Sequence, residues 1–297
     1  MDIDVVTPAY RVASAVAQRV PGRWVDVVAP RIAEAAALRP SERRRMVERH
    51  QRRVDPSLSD AELERRVRGV YRSYGRYYGE SFRLPSVSPA ALDAGLTHEG
   101  YEHIEQAVAA GTGPILVLPH LGSWEWSAFW LTKVKGHKVT AVVERIEPPA
   151  LYDWFVGFRE QIGITVVPLG VDAGKAVMTA IKAGHVVTLL SDRDISGGGV
   201  EVSFFGEKTT LPSGPAVLAL RTGAPLLPTC VYDRGPTRHG VVRPPIPVER
   251  TGRFRADVAR VTQAIADELE LLIRDAPEQW HLMQPNWPSD RSAESAG

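Results

Sequence analysis

The sequence predicts an α/β fold, a central and mostly parallel sheet flanked by helices, with an N-terminal helical extension. Two observations carry this. From His98 onward short apolar runs of strand length alternate with helix-length segments, the pattern of βα units. Before His98 the apolar residues recur at helical spacing, and no run of strand character is present. The expected organisation is a membrane-facing helical extension over 1–97, an α/β core over 98–288 and a disordered tail over 289–297.

Thr7 and Pro8 open a first amphipathic helix that runs to Val20, and Pro21-Gly22 breaks it. A second amphipathic helix runs from Trp24-Val25 to Leu38. Ser59 and Glu62 have the spacing of a capping box and start a longer helix. That helix sets Arg65, Arg66, Arg68, Arg72 and Arg76 beside Val67, Val70, Tyr71, Tyr74 and Tyr78. Such a face is either a core stripe with a solvated charged side or a surface for docking on an anionic membrane. Strands are expected at Ile115 to Leu118, Val139 to Val143, Ile164 to Val167, Val186 to Leu190 and Leu226 to Val231. Their continuous apolar character fits strands covered on both faces.

With 297 residues, 44% hydrophobic and 24% charged, the chain has the composition of a globular protein with a full core. The formal net charge of +1 gives no case for a nucleic-acid partner. A single cysteine, Cys230, lies in an apolar run and reads as a buried thiol in a reducing compartment, not as a nucleophile. No signal peptide is apparent, and no stretch approaches the roughly 20 apolar residues needed to span a bilayer, so a cytoplasmic location is expected.

The segment Leu118-Pro119-His120-Leu121-Gly122-Ser123-Trp124-Glu125 sits where the first of those strands breaks into a helix. Two residues five apart within one helix would point about 140° apart, so His120 must lie in the turn to meet Glu125. Gly122 permits the turn, and Ser123 is a plausible N-cap. A helix N-terminus disfavours imidazolium and favours carboxylate, which would hold His120 neutral beside an ionised Glu125, the pair a general base for acyl transfer needs. Spacing alone proves little, because His50 and Asp55 repeat it in an arginine-rich, helical, solvated-looking segment with no strand before it.

Ligands of open α/β sheets gather beyond the carboxyl ends of the strands, where Glu144 and the Asp192-Arg193-Asp194 cluster also emerge. If the strand conformation persists, Asp192 and Asp194 face one way, and either competes with Glu125 to orient His120. Arg159 follows an aromatic helix beginning Leu151-Tyr152-Asp153-Trp154-Phe155 and supplies a fixed charge for an oxyanion or a phosphate.

Other chemistries fit poorly. Gly170 to Lys175 has too few residues between its glycines for a P-loop, and Ala176 replaces the magnesium-binding hydroxyl. His98-Glu99-Gly100-Tyr101-Glu102-His103 lacks metalloprotease spacing, so no metal is implied. A G-x-S-x-G nucleophile elbow is absent.

Several blocks then occur in order across residues 100 to 290: the Leu118 to Glu125 segment, Arg159 with Gly163, and Ser191-Asp192-Arg193-Asp194. Gly199 to Gly206, Leu211-Pro212-Ser213-Gly214-Pro215-Ala216 and Pro277 to Trp287 complete the set. On these the chain resembles the lipid A biosynthesis acyltransferases. Its ending Trp280-His281-Leu282-Met283-Gln284-Pro285, with the arginine-over-lysine bias, is most like the phosphatidylinositol mannoside acyltransferases of actinobacteria.

The resemblance implies a peripheral protein on the cytoplasmic face of the inner membrane. It implies transfer of a long acyl chain from acyl-CoA, a co-substrate with no resident cofactor, to the 6-hydroxyl of a mannose in a phosphatidylinositol mannoside. It makes His120 the base, Glu125 the acid of the H-x4-D/E motif, Asp192 a second orienter and Arg159 a substrate-facing arginine; Glu144 and Asp194, from their strand ends, are expected at the substrate. Two rivals are a thioester hydrolase using the same base on water and a non-catalytic lipid-binding module.

Overall fold

The computed structural model describes residues 6–292. Four helices come first: α1 (Val6–Arg19), α2 (Gly22–Ala36), α3 (Glu42–Val54) and α4 (Asp60–Arg83). The remainder follows as α5 (Pro89–Ala94), β1 (Leu96–Glu99), α6 (Glu102–Ala109), β2 (Ile115–Leu118), α7 (Trp124–Lys133), β3 (Val139–Val143), α8 (Pro149–Gln161) and β4 (Ile164–Pro168). Then come α9 (Ala173–Lys182), β5 (Val186–Leu190), β6 (Val200–Phe204), β7 (Glu207–Leu211), α10 (Gly214–Thr222), β8 (Leu226–Arg234), β9 (Thr237–Val242), α11 (Phe254–Asp275) and α12 (Pro288–Ser292).

Among the described residues seven strands form one sheet in the order β1-β9-β8-β2-β5-β3-β4, parallel except where β8 meets β9. The expected α/β class with a mostly parallel sheet is what the chain adopts. Alternation along β2 sends Ile115 and Val117 into a core shared with α9, α10 and α11, and Leu116 and Leu118 into a core shared with α6, α7 and α8. Both faces are therefore covered, which is why the strand reads as an unbroken apolar run.

The capping box opens α4 as its sequence predicts: the Ser59 hydroxyl accepts from the Glu62 amide, and Glu62 accepts from the Ser59 amide. The apolar side of α4 is covered, while Arg65, Arg68 and Arg72 reach solvent. Gly75 and Gly79 admit α2 so closely that a Cβ at Gly75 would lie 2.6 Å from the Ala29 carbonyl oxygen. Arg66, Arg68, Arg72 and Arg76 pair with Asp55, Glu64, Glu34 and Asp233, and Val67, Val70 and Tyr71 are buried. The core-stripe reading accounts for this helix.

His50 is not solvated. It is 1% exposed, its Nδ1 lies 3.0 Å from the Leu282 carbonyl oxygen, and its Nε2 lies 3.3 Å from Asp290 Oδ2. The order expected to end at 288 continues through α12, because fully buried Asp290 also accepts from Arg53 Nη2 at 2.9 Å and from the amides of Asn286 and Trp287. Residues 293–297 of the expected tail lie outside the described residues.

Candidate active site

Sheet register brings the first two residues of the site together. β2 and β5 are parallel neighbours with Leu118 opposite Leu190, and the Ser191 amide extends the ladder to the Leu118 carbonyl at 2.8 Å. Two residues beyond each strand end, His120 meets Asp192. The His120 amide donates to Asp192 Oδ2 at 2.9 Å, and its Nδ1 lies 2.6 Å from Asp192 Oδ1. Trp280 Nε1 donates to Oδ2 at 2.8 Å.

Asp192 is fully buried, while the His120 side chain keeps 33% of its surface. Because a carboxylate only accepts, the pairing places a proton on Nδ1 and leaves Nε2 basic on the open side. Burial pulls the His120 pKa down, but Asp192 more than offsets it, and the value is raised. Burial pushes Asp192 up, yet His120 and Trp280 hold it below the usual carboxylate value. The expectation of a helix N-terminus depressing His120 is thus overturned: a full charge in contact outweighs a terminal dipole of about half a charge.

The turn between β2 and α7 is tightly held. Gly122 has φ +61, and a Cβ there would lie 1.8 Å from the Val231 carbonyl oxygen, so glycine is required. The amides of Leu121, Gly122 and Ser123 donate to the carbonyls of Pro119 (2.7 Å), Gln279 (3.0 Å) and Val231 (3.2 Å). With the His120 amide on Asp192, each amide of this turn already has an acceptor. Ser123 occupies the N-cap position but does not cap; its hydroxyl donates to Glu80 Oε2 at 2.6 Å. Glu80 pairs in turn with buried Arg238, which lies over Trp126.

Glu125 does not reach His120. It is 1% exposed, and its Oε1 accepts from Arg159 Nη2 at 2.6 Å and Nε at 3.1 Å. The Arg159 guanidinium also lies over the rings of Trp124 and Phe155. Tyr77 of α4 adjoins this pair, and burial together with the Glu125 charge raises its phenol. The H-x4-E motif therefore contributes a base–acid dyad from one half and a buried ion pair from the other.

The family model of the bacterial lipid A biosynthesis acyltransferases matches residues 6–289. The chain belongs to this acyltransferase family. Proteins named phosphatidylinositol mannoside acyltransferase from two strains of Mycobacterium tuberculosis are each 40% identical to it over 225 residues, 74% of this chain and 69% of theirs. One of the same name from Mycolicibacterium smegmatis is 36% identical over 233 residues, 77% of this chain and 74% of its own.

In this lipid A-type acyltransferase Glu144 follows β3 at the same sheet end, 41% exposed and 4.0 Å from Arg193, and its charge adds to the field that raises His120. Asp194 is placed differently from the expectation. Its carboxylate accepts from the amides of Ser196, Gly197 and Gly199 at 2.8 to 3.1 Å and from the Ser196 hydroxyl. It staples the loop leading to β6 instead of facing His120, because the strand conformation that would have aligned it with Asp192 ends first.

Beneath α7 the acyltransferase holds a small, mostly apolar cavity of about 40 Å³. Leu116 and Leu118 of β2 line it. Trp124 and Trp130 close it from α7.

Sequence reasoning assigned no role to the segment that finishes the site. The His281 amide donates to the His120 carbonyl at 2.7 Å, and Asn286 Nδ2 donates to the Asp192 carbonyl at 2.9 Å. Burial and the adjacent His120 charge push the His281 ring down to about 3, so it stays neutral. The run Trp280 to Trp287 was the available signal, but as a resemblance it named no contact. No described helix is long and apolar enough to cross a membrane.

Proposed function

We propose that this acyltransferase moves a long-chain acyl group from acyl-CoA to the 6-hydroxyl of a mannose in a phosphatidylinositol mannoside. The observation that carries the reading is the His120–Asp192 dyad at the carboxyl ends of β2 and β5, the carboxylate fully buried and the imidazole partly open to solvent. The names of the mycobacterial relatives supply the acceptor class.

In the proposed step His120 Nε2 takes the hydroxyl proton as that oxygen attacks the thioester carbonyl, and Asp192 stabilises the imidazolium. The tetrahedral intermediate collapses with cleavage of the C–S bond, and the departing thiolate of coenzyme A recovers the proton from Nε2. An ester C–O bond replaces the thioester, with no covalent acyl-enzyme. The amides of the His120 turn are engaged elsewhere, and Arg159 is the cation we assign to the oxyanion or the coenzyme A phosphates. An apolar groove beside the sheet holds the acyl chain.

The acceptor is a lipid and the donor water-borne, which suits a peripheral position on the cytoplasmic face. The surface we assign to the bilayer is on α1 and α2, not α4. Val12, Val16, Trp24, Val27, Val28 and Ile32 stand exposed there, beside exposed Arg11, Arg23 and Arg31, which make no ion pair among the described residues. Tyr10 of α1 packs on Trp154 and Phe155 of α8, the helix that carries Arg159, so this face adjoins the site.

The test is incubation with radiolabelled palmitoyl-CoA, with and without phosphatidylinositol mannoside, beside His120→Ala. Acceptor-dependent labelled lipid that falls on the order of 10²-fold or more in the variant is expected. Label released only as free fatty acid would overturn the transferase reading in favour of a hydrolase.

A further inference from the structure

Behind the turn that carries His120 lies a charge pair that the proposed step does not use. Glu80 of α4 and Arg238 of β9 are 3% and 7% exposed. Arg238 donates from Nε to Glu80 Oε2 at 3.1 Å and from Nη2 to Oε1, and its guanidinium carbon lies 4.0 Å from the centre of the Trp126 ring on α7. Among the described residues one further donor reaches this carboxylate, the Ser123 hydroxyl at 2.6 Å. Three elements far apart in sequence, α4, α7 and β9, thus meet at one buried carboxylate.

Stability does not explain the pair. Taking two charges out of water often costs more than their attraction returns, so apolar side chains of similar volume would hold these elements together at least as well. The Glu80 carboxyl bears the mark of that cost, since burial pushes its pKa up even with Arg238 beside it. What apolar packing would not supply is direction. A carboxylate fixed by a guanidinium fork offers its remaining lone pairs along set lines, and Ser123 takes one of them. Ser123 forgoes a local bond to do so. It stands at the N-cap of α7, where a serine hydroxyl ordinarily accepts from an amide of the first turn, yet it makes no cap bond, and the Trp126 amide uses the Ser123 carbonyl at 3.1 Å. Ser123 lies three residues after His120 and two before Glu125, so this tie fixes the course of the chain between the base and the Glu125–Arg159 pair.

We propose that Glu80 is a positioning residue of the acyltransferase: held by Arg238, it fixes the Ser123 hydroxyl and with it the turn that presents His120 to the substrate. The inference rests on the reading of His120 as the base. Asp192 pairs with His120 independently of Glu80, so loss of Glu80 misplaces the imidazole without changing its partner. A shift of the base by a fraction of an ångström acts on turnover, while the surfaces that bind donor and acceptor stay as they are.

The experiment compares full-length wild type, Ser123→Ala, the double variant Glu80→Leu with Arg238→Met, and the triple variant that combines them. It reads kcat and KM with palmitoyl-CoA and phosphatidylinositol mannoside in vesicles, and the melting temperature of each protein. Replacing the whole pair by apolar side chains strands no charge, and methionine keeps a long flexible chain over Trp126, so the melting temperature is expected to hold or rise. In the same variant kcat should fall on the order of tenfold or more, with both KM values within about twofold of wild type. Ser123→Ala leaves the ion pair intact, should show the same split, and keeps the test available if the double variant folds poorly. Because both changes cut one tie, the triple variant should lose no more than the larger of the two separate losses. Wild-type kcat in the double variant or in Ser123→Ala, or losses that multiply in the triple variant, would overturn the proposal and leave the pair a packing feature. Absence of transfer by wild type, or full activity in His120→Ala, would instead bring down the reading of the site on which it rests.

Discussion

At the scale of single residues, the site separates two carboxylates that the motif spacing left in competition. Asp192 holds His120, and Glu125 holds Arg159. Asp192→Asn keeps an acceptor for Nδ1 but removes the charge, so the acyl-transfer rate should fall on the order of 10²-fold or more. The pH profile gives the sharper sign. His120 works when neutral, so activity rises as pH climbs through its raised pKa; without Asp192 that limb should move to lower pH. A limb that stays put would remove His120 from the titration. Glu125→Gln should leave that limb in place and instead lower stability by about 3 kcal/mol in denaturant melts, because it strands a largely buried guanidinium. His120, Glu125 and Arg159 were all legible as charged or titratable groups at strand and helix ends. Their pairing was not, since it depends on the register of two strands 72 residues apart and on where α8 lies against α7.

Among elements, the strands found by reading sequence were those whose apolar runs declare themselves: β2, β3, β5 and the start of β8, covered on both faces, and the edge strand β4 with its Ile164, Val166 and Val167. β1, β6, β7 and β9 escaped because each carries polar residues on an exposed side, as in Leu96-Thr97-His98-Glu99 with one buried position in four. The helix pair α2 and α4 shows the converse: arginines that suggested an outward surface are paired with carboxylates, and α2 covers the glycine side of α4. The covering depends on bare backbone at Gly75, where a methyl group would press on the Ala29 carbonyl. Gly75→Ala should therefore cost about 1–3 kcal/mol, seen as a lowered melting temperature, although alanine is the better helix former. A variant at least as stable as wild type would show that α2 sits less tightly on α4.

Across the described residues, half of the exposed large hydrophobic side chains lie on α1 and α2: Val12, Val16, Trp24, Val27, Val28 and Ile32. If this side meets the bilayer, Trp24→Ser with Ile32→Ser should cut cosedimentation with anionic vesicles severalfold, and high salt should release wild type. Equal binding of both proteins, or indifference to lipid charge, would send the interface elsewhere. A last consequence concerns when, not where. The dyad is assembled from residues 120 and 192, but its backbone and carboxylate are tied down by Trp280, His281 and Asn286, and those are anchored through Asp290 to α3. On the ribosome all seven sheet strands emerge before any of these ties, so the growing chain can build its sheet and core while the base remains unbraced. The base is thus braced only once the segment from Trp280 to Asn286 has folded back over the sheet.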